Sequence, residues 1–239
     1  MDRLNQALDA LAARGQAAAF WLRDDDATEP GSALDRLLGL DVPMTIAAIP
    51  AGTGQALAGR LAAAAPAVSV AVHGWAHANH AGAREKKQEL GPHRPVSVVA
   101  GELARGLAHL RDLMGARCLP LLVPPWNRIA PGVEAALPSL GFAGLSVFGP
   151  ARPAALPVVN ANVDIIDWRG SRGGKPAAQV EDDILRAIGA GTAVGLLTHH
   201  LAHDRAAWAV LQAVVSATRD HPACRWVGAD ALIPRVSKG

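Results

Sequence analysis

Along the chain, short apolar runs alternate with segments whose apolar positions recur every three to four residues, and the alternation continues from end to end. The runs predict strands over 18–23, 44–49, 68–72, 118–123, 143–148, 158–166, 193–197 and 225–227. Most are apolar at every position rather than at every second one, as strands buried on both faces of a parallel sheet must be. The intervening segments predict helices over 4–14, 32–40, 54–64, 98–114, 133–140, 177–188 and 204–219. Ser32, with Asp35 three residues on, suits a helix N-terminus, and Gly115 and Gly141 suit left-handed C-terminal turns. The pattern is that of βα repeats.

No Pro-, Gly- or Ser-rich linker divides the chain, so residues 1–239 are expected to form one domain. The most irregular stretch, 82–96, carries Arg84, Lys86, Lys87, His93 and two prolines. It reads as a solvated loop, or alternatively as a lid.

Composition sharpens this picture. Half of the 239 residues are hydrophobic and 18% are charged, which excludes a disordered chain and requires a large core. Lys and Arg number 23 against 21 Asp and Glu, a balance that gives no track for nucleic acid. Neither a membrane span nor an apolar leader is evident, and Cys118 and Cys224 lie in apolar runs without CxxC spacing. A cytoplasmic protein with buried thiols is expected, with neither nucleic acid nor membrane as partner; no feature assigns an oligomeric state.

Against the apolar background, polar groups collect just after the predicted strands, where the side chains of a parallel barrel converge on one mouth. Arg23 is followed by Asp24, Asp25 and Asp26, three adjacent charges that a cation would neutralise, although aspartate is also a common turn residue. His73 and His77 stand four apart, a spacing that would align two imidazoles on a helical turn; with one carboxylate they make a catalytic zinc set, and His80 continues the same face. In Thr198-His199-His200 one histidine is a candidate general acid and the other structural. Asp167 is a candidate to hold the catalytic imidazole in one tautomer. Pro124 and Pro125 stiffen the backbone ahead of Trp126, whose N–H could serve as an oxyanion donor. Trp75, Trp126, Asn127 and Trp168 are the candidate substrate contacts.

Together these clusters resemble the NodB-homology polysaccharide deacetylases, metal-dependent carbohydrate esterases, over 23–200. The family's Thr-Phe-Asp-Asp motif resembles 23–26, which would make Asp25 the general base and Asp26 a metal ligand. Its His-x-x-x-His motif is matched by His73 and His77, its Arg-x-Pro-Tyr motif falls on 123–126, its fourth motif on Asp167 and Trp168, and Leu-x-His on 197–199. The resemblance makes His199 the general acid and implies a distorted (β/α) barrel of seven to eight parallel strands. Two positions depart from the family: Val123 replaces the arginine that restrains the base, and Trp126 replaces tyrosine. Arg23 is the expected substitute, two residues before Asp25 on the same side of an extended strand, ahead of Arg128.

The activity so implied is hydrolysis of an N-acyl or O-acyl group, chiefly acetyl, from an acylated carbohydrate. A divalent metal, first of all zinc, would sit on Asp26, His73 and His77. The rivals are a cytoplasmic amidohydrolase acting on a small non-sugar amide and a degenerate metal-binding module that keeps its ligands but has lost catalysis.

Overall fold

The computed structural model describes residues 1–65 and 67–233. Among them eight strands form: β1 (Ala18–Ala27), β2 (Met44–Ala48), β3 (Val68–His73), β4 (Cys118–Val123), β5 (Gly144–Leu145), β6 (Val163–Asp164), β7 (Val194–Thr198) and β8 (Cys224–Trp226). Seven α-helices join them: α1 (Asp2–Ala12), α2 (Ser32–Leu38), α3 (Gln55–Ala62), α4 (Val96–Met114), α5 (Pro131–Ala136), α6 (Ala177–Gly189) and α7 (Arg205–Thr218). Every expected strand and helix is present, and the class is the expected α/β one, a distorted (β/α) barrel built on parallel pairs.

The chain forms two compact units. The first comprises Met1–Asp25, Gly31–Met44 and Ala161–Gly228. In it β6 pairs with β7, β7 with β1 and β8 with the start of β1, all parallel; Phe20 lies opposite Val194 and Asp24 opposite Thr198. Phe20, Trp21, Leu22, Leu196 and Leu197 are fully buried, as are Leu4 and Leu8 of α1, Ile184 of α6 and Leu211 of α7. Consecutive buried residues on β1 and β7 explain why these strands lack alternation. The N-terminus of α1 has no capping side chain of its own; Glu181 of α6 accepts the Leu4 N–H at 3.0 Å instead.

The second unit comprises Asp26–Pro30, Thr45–Asn160 and the segment from Ala229. Its strands run in the order β5, β4, β3, β2, followed by the last residues of β1, whose Ala27 carbonyl accepts the Ile49 N–H. His73 ends β3 opposite Val123, which ends β4, so both strands deliver their last side chains at one level. Leu103, Leu107 and Leu110 of α4 are buried against this sheet.

Several expectations need correction. The runs 143–148 and 158–166 contract to two-residue strands because asparagine side chains replace ladder bonds: Asn160 Oδ1 accepts the Val147 N–H, and Asn162 Oδ1 accepts the Gly195 N–H. The helix over 133–140 ends as α5 at Ala136 and finishes as a 3₁₀ turn containing Pro138, which has no N–H to continue an α-helix. Ser32 is the first residue of α2 rather than its cap, since Gly31 takes the extended cap position. Gly141 adopts the left-handed turn (φ 86°, ψ 15°), but Gly115 lies outside that well (φ 56°, ψ −131°). The stretch 82–96 is more than a solvated loop, for Glu89 and Leu90 are buried and the Leu90 carbonyl accepts the Ala130 N–H at 2.8 Å. Cys118 and Cys224 are free thiols, pushed by burial up to about 11 and about 12. No helix among the described residues is long and apolar enough to cross a membrane.

Candidate active site

β1 continues four residues past its apolar run, and this extension sorts the three aspartates. On an extended chain neighbours face opposite ways, so Asp25 shares a side with Arg23 while Asp24 takes the other. Asp26 then departs from the alternation, because its backbone lies in the left-handed region at φ 79°. One run of charge thereby serves three different sites.

Asp26 belongs to the second unit, where its Oδ1 lies 3.0 Å from His73 Nε2 and 3.3 Å from His77 Nε2. His73 Nδ1 is 2.9 Å from the Val123 carbonyl, which can only accept, so Nδ1 carries the proton. In the neutral ring the Nε2 lone pair then faces a carboxylate oxygen. Two such acceptors at 3.0 Å repel unless a cation or a proton lies between them. Ligand atoms about 2.1 Å from a tetrahedral ion stand about 3.4 Å apart, close to both separations. The three side chains therefore fit a divalent ion in chemistry and in spacing.

The helical turn expected for His73 and His77 does not form. His73 ends a strand, and the chain then bends through Gly74 (φ 61°) and His77 (φ 54°), so a loop rather than helical periodicity brings the imidazoles to 5.2 Å between ring centres. His80, exposed and with its N–H on the Gln88 carbonyl, is not part of the set. The Trp126 ring packs on His77 with centres 4.2 Å apart. Trp126 and Asn127 both have left-handed backbone (φ 55° and 57°) in the 3₁₀ turn Pro125–Asn127. Non-glycine residues pay about 1–3 kcal/mol each for such conformations. Asp26, His77, Trp126 and Asn127 are four of the six described non-glycine residues with positive φ, so the strain concentrates on the candidate site residues.

In the first unit, the Arg23 guanidinium meets the Asp25 carboxylate at two points: Nη2 donates a hydrogen bond to Oδ2 at 3.0 Å, and Nε makes an ion-pair contact with Oδ1, also at 3.0 Å, without hydrogen-bond geometry. Arg23 is fully buried and Asp25 1% exposed. Arg128 instead donates to the Lys87 carbonyl at 2.7 Å. His199 Nε2 lies 3.9 Å from Asp25 Oδ2, and its Nδ1 is buried without a hydrogen-bond partner. His200 faces elsewhere: Asp24 Oδ2 accepts its N–H at 2.8 Å, and its Nδ1 contacts Asp24 Oδ1. Burial pushes the Asp24 carboxyl up, opposed by the His200 contacts. This buried pair anchors the turn that presents His199 to the strand that presents Asp25.

Asp167 does not hold the His199 imidazole. Its carboxylate accepts the Gly170 and Ser171 N–H groups at 3.0 and 3.1 Å, bonds that hold it below the usual carboxylate range. The carboxylate linked to the His199 ring through Trp168 is Asp164, at the end of β6. Burial raises the Asp164 carboxyl, which accepts the Ile166 N–H at 2.9 Å and Trp168 Nε1–H at 3.0 Å. Trp168 in turn meets the His199 ring edge-on at 4.8 Å. Asp164→Asn is expected to lower turnover and to cost about 1–3 kcal/mol of stability, since an amide cannot accept from both donors at once. Asp167→Asn is expected to leave turnover unchanged. Steady-state rates and thermal melts of the two variants check this, and the opposite ranking would restore Asp167 as the positioning carboxylate.

Trp75 is half-buried beside the Arg105 guanidinium, which lies 5.1 Å from its ring centre. His203 is structural: it contacts Thr198 Oγ1 and meets the Trp208 ring edge-on, and burial lowers its imidazole to about 4 from 6.5. Because the folded value is depressed, its neutral form stabilises the protein fully above pH 6.5, and that contribution is lost as pH falls toward 4. Thermal melts of the metal-free protein between those limits should show a loss on the order of 1–3 kcal/mol, after discounting for partial exposure, that His203→Gln removes. Sequence reasoning grouped Asp164 with Asp167 and Trp168 among the strand-end polar residues without a role of its own, and assigned none to the Asp24–His200 pair or to Glu89. A carboxylate three residues before Asp167, closing an apolar run, was the available signal for the first.

No family model and no curated protein sequence matches this chain. Solved structures do. A family 4 carbohydrate esterase from Streptomyces lividans, in complex with acetate, aligns over 84% of this chain and 87% of its own at 15% identity and a TM-score of 0.56. The peptidoglycan deacetylase PdaC of Bacillus subtilis aligns over 91% and 90% at 17% identity and 0.59. A CE4 esterase of Streptococcus mutans aligns over 94% and 90% at 13% identity and 0.61. The fold of this chain is thus that of the NodB-homology polysaccharide deacetylases, the one the motif resemblance implied.

Proposed function

We propose that this protein is a divalent-metal-dependent hydrolase that removes an acyl group, chiefly acetyl, from an amino or hydroxyl group of a carbohydrate-like substrate. The carrying observation is the set of Asp26, His73 and His77 spaced for one ion, together with Asp25, the residue before Asp26 in β1, held at two points by Arg23. Asp25 and Asp26 are consecutive in β1, so the candidate base and one candidate ligand are about 3.8 Å apart at Cα. A divalent ion on the three ligands, zinc first, would polarise an acyl carbonyl and make a bound water more acidic. Asp25 is the group to take a proton from the attacking water, its carboxylate oriented by the arginine. The Trp126 N–H is the candidate donor to the developing oxyanion, and His199 gives a proton to the leaving nitrogen or oxygen. Trp168 and Asn127 are proposed substrate contacts, Trp168 because it is 40% exposed while its indole N–H is pinned by Asp164. The assignment of Trp75 to substrate has only its half-exposed ring to support it.

The carbohydrate reading is supported by the likeness to a family 4 carbohydrate esterase and a peptidoglycan deacetylase. A single functional domain is supported by the chain's repeated passage between the two units, at 25–26, 30–31, 44–45, 160–161 and 228–229. A reducing cytoplasmic setting is supported by the two free thiols.

The test is acetate release by the purified protein from N-acetylated sugar oligomers, acetylated xylan and small acetamides, with zinc, after chelation and after zinc is restored. Metal-dependent release from the sugars is expected. Release from small acetamides alone would replace the carbohydrate reading by the amidohydrolase one, and firm metal binding without release from any substrate would identify a degenerate module.

A further inference from the structure

Among the polar side chains that the reading above does not use is Glu89, 1% exposed in a stretch whose neighbours at 82–87 are all exposed. We propose that Glu89 is the positioning residue of the loop that carries His73 and His77, an inference that rests on the metal reading above. Its Oε1 accepts the Ala76 N–H at 2.7 Å and its Oε2 the Trp75 N–H at 3.2 Å. These residues stand between the two histidines, in a loop whose left-handed residues, Gly74 and His77, prevent helical closure. In a helix their N–H groups would bond to carbonyls four residues back. Here one carboxylate takes both.

The glycine at 74 belongs to the same device. A Cβ there would overlap Glu89 Oε2 and lie 2.6 and 2.7 Å from Pro125 Cγ and Cδ, so the carboxylate packs directly on the loop backbone. Glu89 is itself fixed from the other side. Its carbonyl accepts from Arg94 Nη2 at 3.4 Å, while Arg94 Nη1 reaches Glu102 of α4 at 2.8 Å. The loop's far edge is tied by the Ala51 N–H on the Trp75 carbonyl at 2.9 Å. Among the described residues no cationic side chain pairs with the Glu89 carboxylate; its hydrogen-bond partners there are two neutral amides. A buried carboxylate without a countercharge is costly. A divalent ion held by the same loop would offset that cost, which couples Glu89 to ion binding as well as to loop shape.

Groups that orient metal ligands are commonly worth tenfold to a hundredfold in affinity. The experiment measures zinc affinity of the purified full-length protein, by competition with a chromophoric chelator, for wild type, Glu89→Gln, Glu89→Ala and the surface control Glu85→Gln. Thermal melts of the metal-free proteins accompany it. Zinc is expected to bind about tenfold more weakly to Glu89→Gln, which keeps one acceptor, about a hundredfold more weakly to Glu89→Ala, and unchanged to Glu85→Gln. A purely structural Glu89 would lower the metal-free melting temperature and leave zinc affinity at the wild-type value, and that result overturns the proposal. Should Glu89→Ala fail to fold, Glu89→Gln decides alone. Wild type that binds no zinc would defeat the metal reading and this inference together, whereas tight wild-type binding matched by both Glu89 variants defeats only this inference.

Discussion

His73→Ala is expected to yield a folded protein that holds no ion tightly, whereas Asp25→Asn is expected to keep the ion and lose turnover. His73 supplies one of three donor atoms, and its loss should weaken zinc by well over the roughly hundredfold typical of groups that merely support a ligand. Asp25 is one residue away from Asp26, and its carboxylate meets Arg23 and lies 3.9 Å from His199. An amide at that position cannot accept the water's proton, so kcat should fall by about 10²–10⁴ with metal content unchanged. Asp24→Asn should be milder in turnover, because Asp24 reaches the site only through His200. Metal analysis by mass spectrometry and steady-state rates on the same preparations check all three. Undiminished metal in His73→Ala, or a larger rate loss in Asp24→Asn than in Asp25→Asn, would move the base and ligand assignments.

Arg23→Ala should be the most destabilising single change at the candidate site. The guanidinium and the Asp25 carboxylate are both essentially out of water, and removing one partner of a buried pair leaves the other uncompensated, at about 3–5 kcal/mol. At roughly 2–4 °C per kcal/mol the fall in Tm is well above measurement error. Turnover at saturating metal should also fall, because the carboxylate loses the grip that orients it. Arg23→Lys should recover part of the charge but not the two-point hold. Arg128→Ala, which loses one bond to the Lys87 carbonyl, should stay within about 0.5 kcal/mol of wild type with near-normal turnover. A defect in Arg128→Ala exceeding that of Arg23→Ala would reverse the assignment of the arginine that restrains Asp25.

The alternation of apolar runs and helical segments was legible because burial of strands on both faces is written directly into residue type. Arg23 as the partner of Asp25 was equally legible, since two residues apart on a strand is one side of it. Where local rules were asked to place side chains that no local rule governs, they misplaced them. His73 and His77 have the spacing of a helical turn, yet a strand end and two left-handed residues bring them together. Asp167 has the motif position of a histidine's partner, yet its oxygens are taken by the turn it caps, and the carboxylate linked to His199 through Trp168 comes from the end of β6.

What the sequence determined by itself is therefore the order of elements, the α/β class and the residue types available at each strand end, all consequences of hydrophobic periodicity over a few residues. The tertiary structure alone decided which aspartate faces which partner, that His199 rather than His200 lies near Asp25, and that Glu89 is buried beneath the histidine loop. Those outcomes depend on strand register, on a reversal of φ at Asp26 and on groups 13 to 176 residues apart along the chain. Such contacts form only once the whole chain has closed on itself, because their stability comes from desolvation that no isolated segment can provide.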